Sequence, residues 1–254
     1  MKPEELHNIF AAEQQFWWYQ GMRAITEALL AKVNLPRAGN GLDAGCGTGF
    51  NALEVERRYG LRMYGIDLAP LAISYSRTRS FARSVAGSVL ALPFPAERFD
   101  MVTSFDVLSH LQVGDEQRAV QEFARVLRPG GWLFLRVPAF NSLRSRHSQF
   151  INEYQRFRAH TLAGLLSEQA LNVVHWSYAN SFLFPIALLK FRLLEPLTHA
   201  KPQSGVEAAP PNWLNGLLAQ VLRCEAALIR CGFRFYFGQS LIMLARKRAS
   251  SQNS

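Results

Sequence analysis

The chain has 254 residues, 49% of them apolar, a formal net charge of +9 and three cysteines. That length suits one large domain, or one domain carrying an insertion, and the apolar share argues against a mainly disordered chain. The sparse, odd set Cys46, Cys224 and Cys231 contains no Cys-x-x-Cys pair, which argues against a disulfide framework and suits a reducing compartment.

The excess of positive charge fits an anionic partner but does not choose between nucleic acid and an acidic membrane face. The N-terminus lacks the apolar core of a signal peptide, and no run of 18 uncharged apolar residues is found. Residues 181–189, "SFLFPIALL", come closest, but they are short and contain Pro185. The expectation is a cytoplasmic protein that can touch a membrane only peripherally.

In chain order, residues 4–15 read as a polar helix. They are followed by four consecutive aromatics in "FWWYQGMR" and an amphipathic helix over 22–32 that Pro36 and Gly39 end. "GLDAG" reads as a short strand and turn, 50–59 as a helix, "LRMYGIDLAP" as a strand ending in an acidic residue, and 71–79 as a helix. A short strand lies in "SVAGSVLALPFP", an apolar strand over 99–108 and a helix over 115–127; "RPGG" then turns into the strand "WLFLRVP". Strand and helix alternate over 40–137, the rhythm of crossover units on a parallel sheet with both faces covered.

Beyond residue 138 the pattern changes. Residues 139–160 are polar and basic, 161–170 read as a helix and "LNVVHWSYAN" as a strand. Two helices, 181–195 and 212–231, are joined by the loop "THAKPQSGVEAAPPN"; "QSLIMLARK" is the last strand, and 249–254 reads as a disordered tail. The domain frame is 1–248, with an N-terminal helical lid over 1–35 and a helical insertion or cap over 180–235. No internal repeat is visible.

The stretch "LDAGCGTGF" places Gly45, Gly47 and Gly49 after the first strand. Gly45 can adopt positive φ in a tight turn, while Gly47 and Gly49 let backbone approach a ligand and the next helix. The spacing G-x-G-x-G fits neither the dinucleotide fingerprint nor the phosphate loop, which points to a ligand without a pyrophosphate. Asp67 ends the second strand, where a carboxylate can accept from both ribose hydroxyls. Its structural alternative is a helix cap before Pro70.

With "LDAGCGTG", "GIDLAP", "LPFP", "FDMVTSFDVLSHL" and "RVLRPGGWLFLRVP" in this order, the chain resembles the class I S-adenosylmethionine-dependent methyltransferases over roughly residues 40–137. The resemblance implies an α/β, Rossmann-like, seven-stranded and mostly parallel sheet with helices on both faces and one antiparallel strand at its edge. It also implies S-adenosylmethionine as cofactor, S-adenosylhomocysteine as product, and no metal. Asp43, Gly45, Cys46, Gly47 and Gly49 would line the methionine part, Asp67 the ribose, and Ile66 and Leu68 the adenine. The common acidic contact to the adenine amine is replaced by Ser88, which can make one hydrogen bond beside Val89.

Ligands of open α/β sheets sit at the carboxyl ends of the strands, which places Phe105, Asp106, Ser109, His110, Val137 and Pro138 near the reaction, with Phe105 expected to contact the cofactor. Methyl transfer needs alignment, exclusion of water and, for some acceptors, removal of a proton. His110 is the first candidate base, with a pocket wall or helix cap as the other reading. His147 and Tyr154 are further candidates within the basic stretch 144–160, which either grips an anionic group of the substrate or is a solvated loop. The aromatic run packs as core or closes as a lid, with Tyr19 and Trp18 nearest the cofactor.

The apolar insertion over 180–235 is a simple cap, a dimer face, or an enclosure for a hydrophobic substrate that can also rest on anionic lipid. The acceptor expected is a small molecule or lipid, methylated on oxygen or carbon before nitrogen. No nucleic acid is expected, and the protein is a monomer or homodimer. The competing reading is a catalytically silent relative whose insertion holds a partner.

Overall fold

The computed structural model describes residues 3–36, 38–197, 204 and 210–249. Most of the joining loop over 198–212, and the tail beyond Ala249, therefore lie outside the described residues.

Seven strands form one sheet: β1 (Asn40–Ala44), β2 (Arg62–Asp67), β3 (Ser84–Ala86), β4 (Phe99–Phe105), β5 (Leu127–Pro138), β6 (Leu171–Ala179) and β7 (Ser240–Lys247). Their order is β3-β2-β1-β4-β5-β7-β6. The pairs β1–β2, β1–β4, β2–β3 and β4–β5 are parallel. The end of β7 meets the starts of its neighbours, because Arg248 N–H donates to Ala170 O and Lys247 Nζ to Leu127 O. β7 is thus antiparallel to both, and it lies one place inside the sheet; the edges are β3 and β6. That corrects the expectation of an antiparallel strand at the edge.

The helices are α1 (Pro3–Ala12), α2 (Trp17–Leu30), α3 (Phe50–Tyr59), α4 (Pro70–Thr78), α5 (Asp115–Val126), α6 (Arg146–Phe150), α7 (Ala159–Glu168), α8 (Phe184–Leu189) and α9 (Asn212–Arg230). α2 begins earlier than apolar spacing suggested, since Trp17, Trp18 and Tyr19 form its first turn. "RPGG" is not a separate turn before a strand but an irregularity within β5. Leu127 and Trp132 pair with Phe99 and Met101, so the extra residues bulge out between them.

By contact density the chain divides into two units. One comprises 35–137, 159–176 and 243–254, and carries the parallel strands. Its core is the strands themselves: Leu42, Ala44, Met63, Met101, Val102 and Leu133 have no exposed surface. Burial on both faces is what the continuous apolar runs of these strands require. α3 packs on β1 and β2, and α4 on β2 and β3.

The other unit comprises 1–34, 138–158 and 177–242. The insertion is therefore not a free appendage, for α9 packs along α2. Trp17 N–H donates to Asn215 Oδ1 at 2.9 Å, Asn215 Nδ2 to Gln15 O at 2.8 Å and Arg223 to Gln20 Oε1 at 2.9 Å. Gly21 permits the close approach, since a Cβ there would overlap the buried Leu222 side chain. At the far side Glu225, fully buried on α9, accepts from the backbone N–H of Ser181 at 2.8 Å and of Phe182 at 3.3 Å. Burial raises its pKa above the usual carboxylate range.

Gly21→Ala is expected to lower the unfolding free energy by about 1–3 kcal/mol through overpacking. Leu222→Ala added to it should restore part of that loss. Urea unfolding of both single variants and the pair reads the coupling; strictly additive losses would rule out this contact as the cause.

Candidate active site

At the carboxyl end of β1 the chain turns sharply. Gly45 and Cys46 both donate their N–H to Ile66 O, at 2.8 and 2.9 Å, which splices the turn onto β2. Gly45, Gly47 and Gly49 have φ of 89°, 52° and 78°, the left-handed region that side chains disfavour. The three glycines meet different surroundings. A Cβ at Gly45 would overlap Val107, and one at Gly49 would press on Phe81 and Ser76 at 2.9 Å. A Cβ at Gly47 would meet nothing within 4 Å. Gly45 and Gly49 are needed for packing; Gly47 presents bare backbone to open space.

Asp67, half-buried at the end of β2, holds this backbone. Its Oδ2 accepts from Gly47 N–H and its Oδ1 from Ala69 N–H, both at 2.9 Å. The proposed ribose-binding carboxylate is thus also the clamp of the turn, and each oxygen keeps acceptor capacity for a ligand hydroxyl. The cap reading of Asp67 and the ligand reading are not exclusive.

Asp43 lies beneath, 1% exposed. Its Oδ1 accepts from Thr103 Oγ1 at 2.8 Å, while its buried Oδ2 has no hydrogen-bond partner. Burial pushes its pKa up to about 7; the Thr103 hydrogen bond opposes this, the Asp67 charge adds to it, and the Arg136 charge opposes it. An orphaned carboxylate oxygen beside an open-faced glycine turn fits a cationic, hydrogen-bonding ligand group.

Cys46 is a packing residue of the turn. Its side chain is 5% exposed, and a Cβ at Gly65 would meet its Sγ at 2.7 Å. Burial, with the Asp43 and Asp67 charges, pushes the thiol pKa up, so it stays protonated and unreactive. Leu68 is 76% exposed next to Asp67, an apolar side chain left without cover. Past β3, Ser88 Oγ accepts from Leu90 N–H at 3.1 Å and keeps its hydroxyl proton to donate; Val89 is buried beside it.

At the end of β4, Phe105 is followed by Asp106 in the left-handed region, φ 61°. Arg136, 6% exposed on β5, pairs with Asp106 Oδ2 at 2.7 Å and lies over the Phe105 ring at 5.0 Å. Asp106 N–H donates to Arg136 O, and Ser109 Oγ to Asp106 O. These bonds place the 3-10 turn Leu108–His110 and make His110 half-buried at the same strand end. Arg136 lies near the end of β5 and is a residue that sequence alone did not single out, although an arginine inside the apolar run "WLFLRVP" was the signal.

Tyr19, His147 and Tyr154 belong to the other unit. Tyr19 is half-buried against Trp18, rings edge-on at 5.0 Å; His147 is on α6, and Tyr154 is exposed. In the basic stretch several arginines serve the unit itself. Arg156 pairs with buried Glu153 and donates to Ala139 O, Arg144 donates to Glu153 O, and Arg146 to Glu195 O. These bonds tie up three of the arginines expected either to grip an anion or to be solvated, so for them neither expectation describes the contacts made.

A mostly parallel sheet of this order, with a glycine turn after β1 and a carboxylate ending β2, defines a Rossmann-like protein that binds a nucleoside-containing ligand at its strand ends. Residues 42–135 match the family model described as "Methyltransferase domain". A Mycolicibacterium smegmatis protein described as a probable S-adenosylmethionine-dependent methyltransferase is 30% identical over 189 residues, 71% of this chain and 69% of that protein. The chain belongs to the S-adenosylmethionine-dependent methyltransferases, and S-adenosylmethionine is the cofactor of that family.

The ubiquinone biosynthesis O-methyltransferase of Leptothrix cholodnii is 36% identical over 102 residues, 37% of this chain and 42% of that protein. Relatives named as N-methyltransferases match as well. The chain spans between 35% and 69% of the first curated relatives it matches. Among solved structures, a Haloferax volcanii protein in complex with the Trm112 methyltransferase activator superposes with a TM-score of 0.63, 18% identity, and coverage of 98% of this chain and 99% of that one.

Asp43 also predicts a pH dependence. Its folded pKa of about 7 lies above its ordinary value of 3.8, so between these the folded chain holds a proton that the unfolded chain releases. Stability should fall as pH rises through that window and level off above it. Asp43→Asn should flatten the decline and be relatively more stable than the parent at pH 8 (~1 unit above the folded pKa) than at pH 5 (within the window). Urea unfolding at both pH values measures this; parallel profiles would show that Asp43 does not titrate as described.

Proposed function

We propose that the chain transfers the methyl group of S-adenosylmethionine to an oxygen, or a carbon, of a small-molecule or lipid-like acceptor. The observation that carries this reading is the open-faced Gly47 turn clamped by Asp67 above the unpaired Oδ2 of Asp43. These residues fit the cofactor: Asp43, Gly45 and Gly47 would hold the amino acid part, Asp67 the ribose hydroxyls, and Leu68, Ser88 and Val89 the adenine. The cofactor supplies an electrophilic methyl group on a sulfonium.

What the protein adds is placement. The turn presents a backbone surface fixed before any ligand arrives, so little reorganisation is needed at binding. Asp43 offers negative charge where a positive ligand group would pull its pKa down and stabilise the charged form. The Arg136–Asp106 pair and the Phe105 ring hold the end of β4 in its strained conformation, and with it His110. His110 is the proposed base for an acceptor hydroxyl; a neutral imidazole can take that proton as the new bond forms. His147 and Tyr154 are proposed alternatives, and Tyr19 a proposed cofactor contact. The sequence "SFDV" at the end of β4, in place of an amino-methylating signature, supports oxygen or carbon over nitrogen.

Calorimetric titration with S-adenosylhomocysteine should show saturable one-to-one binding, weakened about tenfold or more in Asp67→Ala. Failure of the folded protein to bind would remove the reading. With an acceptor found by labelled methyl transfer, His110→Asn should lower kcat about 10²-fold with little change in KM. An unchanged kcat would leave His110 as pocket wall.

A further inference from the structure

The apolar side chains of the insertion divide into two sets. Ala187, Ala219, Leu222, Ala226, Ile229 and Phe235 are buried within their unit. A second set is not. Ile186, Leu189, Leu193 and Leu197 are 65%, 52%, 57% and 77% exposed, and Leu194 joins them at 53%. Steps of three and four place Ile186, Leu189 and Leu193 on one side of a continuous helical run, and Leu197 follows in the turn after it. That run comprises α8 and a π-turn over Lys190–Leu194, with Glu195 N–H bonded to Lys190 O. The widened turn adds Leu194 to the same broad face.

A second exposed group adjoins it. Phe233, Tyr236 and Phe237, in the segment between α9 and β7, are 56%, 69% and 49% exposed. The ring of Phe237 lies 5.6 Å from that of Phe184 on α8, and the ring of Phe235 lies 5.5 Å from that of Phe182. The aromatic segment thus packs beside α8 through Phe184, and the two adjoining elements both leave apolar side chains exposed. Exposed apolar side chains grouped on neighbouring elements mark an interaction site.

Charge decides what kind. Lys190 and Arg192 lie within the helical run and Arg230 next to the aromatic segment, all exposed. The one acidic residue of the run, Glu195, is half-buried and accepts from the backbone N–H of Arg146 at 3.1 Å. The patch is thus apolar with a basic fringe, on a chain of net charge +9. Aliphatic residues on one helix face, lysine and arginine at its border, and amphipathic aromatic rings beside it are the composition of an interfacial helix lying in the headgroup region of a bilayer. Among the described residues no helix is long and apolar enough to cross a membrane, so the contact is parallel to the surface.

We propose that the face formed by residues 184–197 and 233–237 docks this protein onto an anionic lipid surface. The inference does not depend on the identity of the methyl acceptor. It would, however, bring a lipid-embedded acceptor to the enzyme. Aliphatic burial supplies the attachment and Lys190, Arg192 and Arg230 supply the preference for negative headgroups.

The test is co-sedimentation of the full chain with vesicles of phosphatidylcholine alone and of phosphatidylcholine mixed with phosphatidylglycerol. Partition should be about tenfold or more stronger on the mixed vesicles and should fall with added salt. Leu193→Glu with Leu197→Glu should abolish it, and Lys190→Glu with Arg192→Glu should remove the preference for anionic lipid. Binding of S-adenosylhomocysteine and the circular dichroism spectrum, followed in parallel, confirm that each variant is folded. Folded protein that ignores mixed vesicles would overturn the proposal, as would equal partition onto both vesicle types. A dimer in sedimentation velocity that Leu193→Glu with Leu197→Glu dissolves, without vesicle binding, would assign the face to a second copy instead.

Discussion

The hydrogen bond from Gly47 N–H to Asp67 is the constraint on which the site depends. It joins the turn after β1 to the end of β2, and so fixes backbone at a residue with no side chain of its own to pack. The two N–H groups that precede it are already committed to Ile66 O. The loop is thereby held open at one residue and closed at the others. A backbone in left-handed conformations at three positions is entropically expensive, and anchoring both ends of the turn is how the fold keeps it in one state.

Two carboxylates at the strand ends near that turn, Asp43 buried and Asp106 half-buried, differ in their settings. Asp106 is balanced directly by Arg136, and the pair holds a strained residue in place. Asp43 has one hydroxyl donor and a free oxygen, so its charged form is disfavoured without a further partner. A buried polar atom left unsatisfied is uncommon in a folded chain and is expected where a ligand completes the set. The same feature that weakens the ligand-free fold at neutral pH prepares it for a cationic group.

The insertion shows a different logic. α9 is tied on one side to α2, with Gly21 against Leu222, and on another to the turn over 180–182 through buried Glu225. α8 and the segment between α9 and β7 turn apolar surface outward instead. Composition alone cannot separate these cases, because both segments are rich in leucine and phenylalanine. The difference lies in which faces find a neighbour.

The order of strands and helices over 40–137 was legible in the sequence, because buried parallel strands require continuous apolar runs and turns require glycine and proline. The cofactor turn was legible for the same reason, since its glycine spacing and the acidic end of β2 are local features. The place of β7 inside the sheet was not, because strand order is set by pairing between residues far apart in the chain. Nor was the pairing of Arg136 with Asp106, or the unpaired Oδ2 of Asp43, since each depends on which side chains meet across strands. Local spacing determined the elements and the class of ligand; long-range packing decided which polar groups were satisfied and which apolar faces were left exposed.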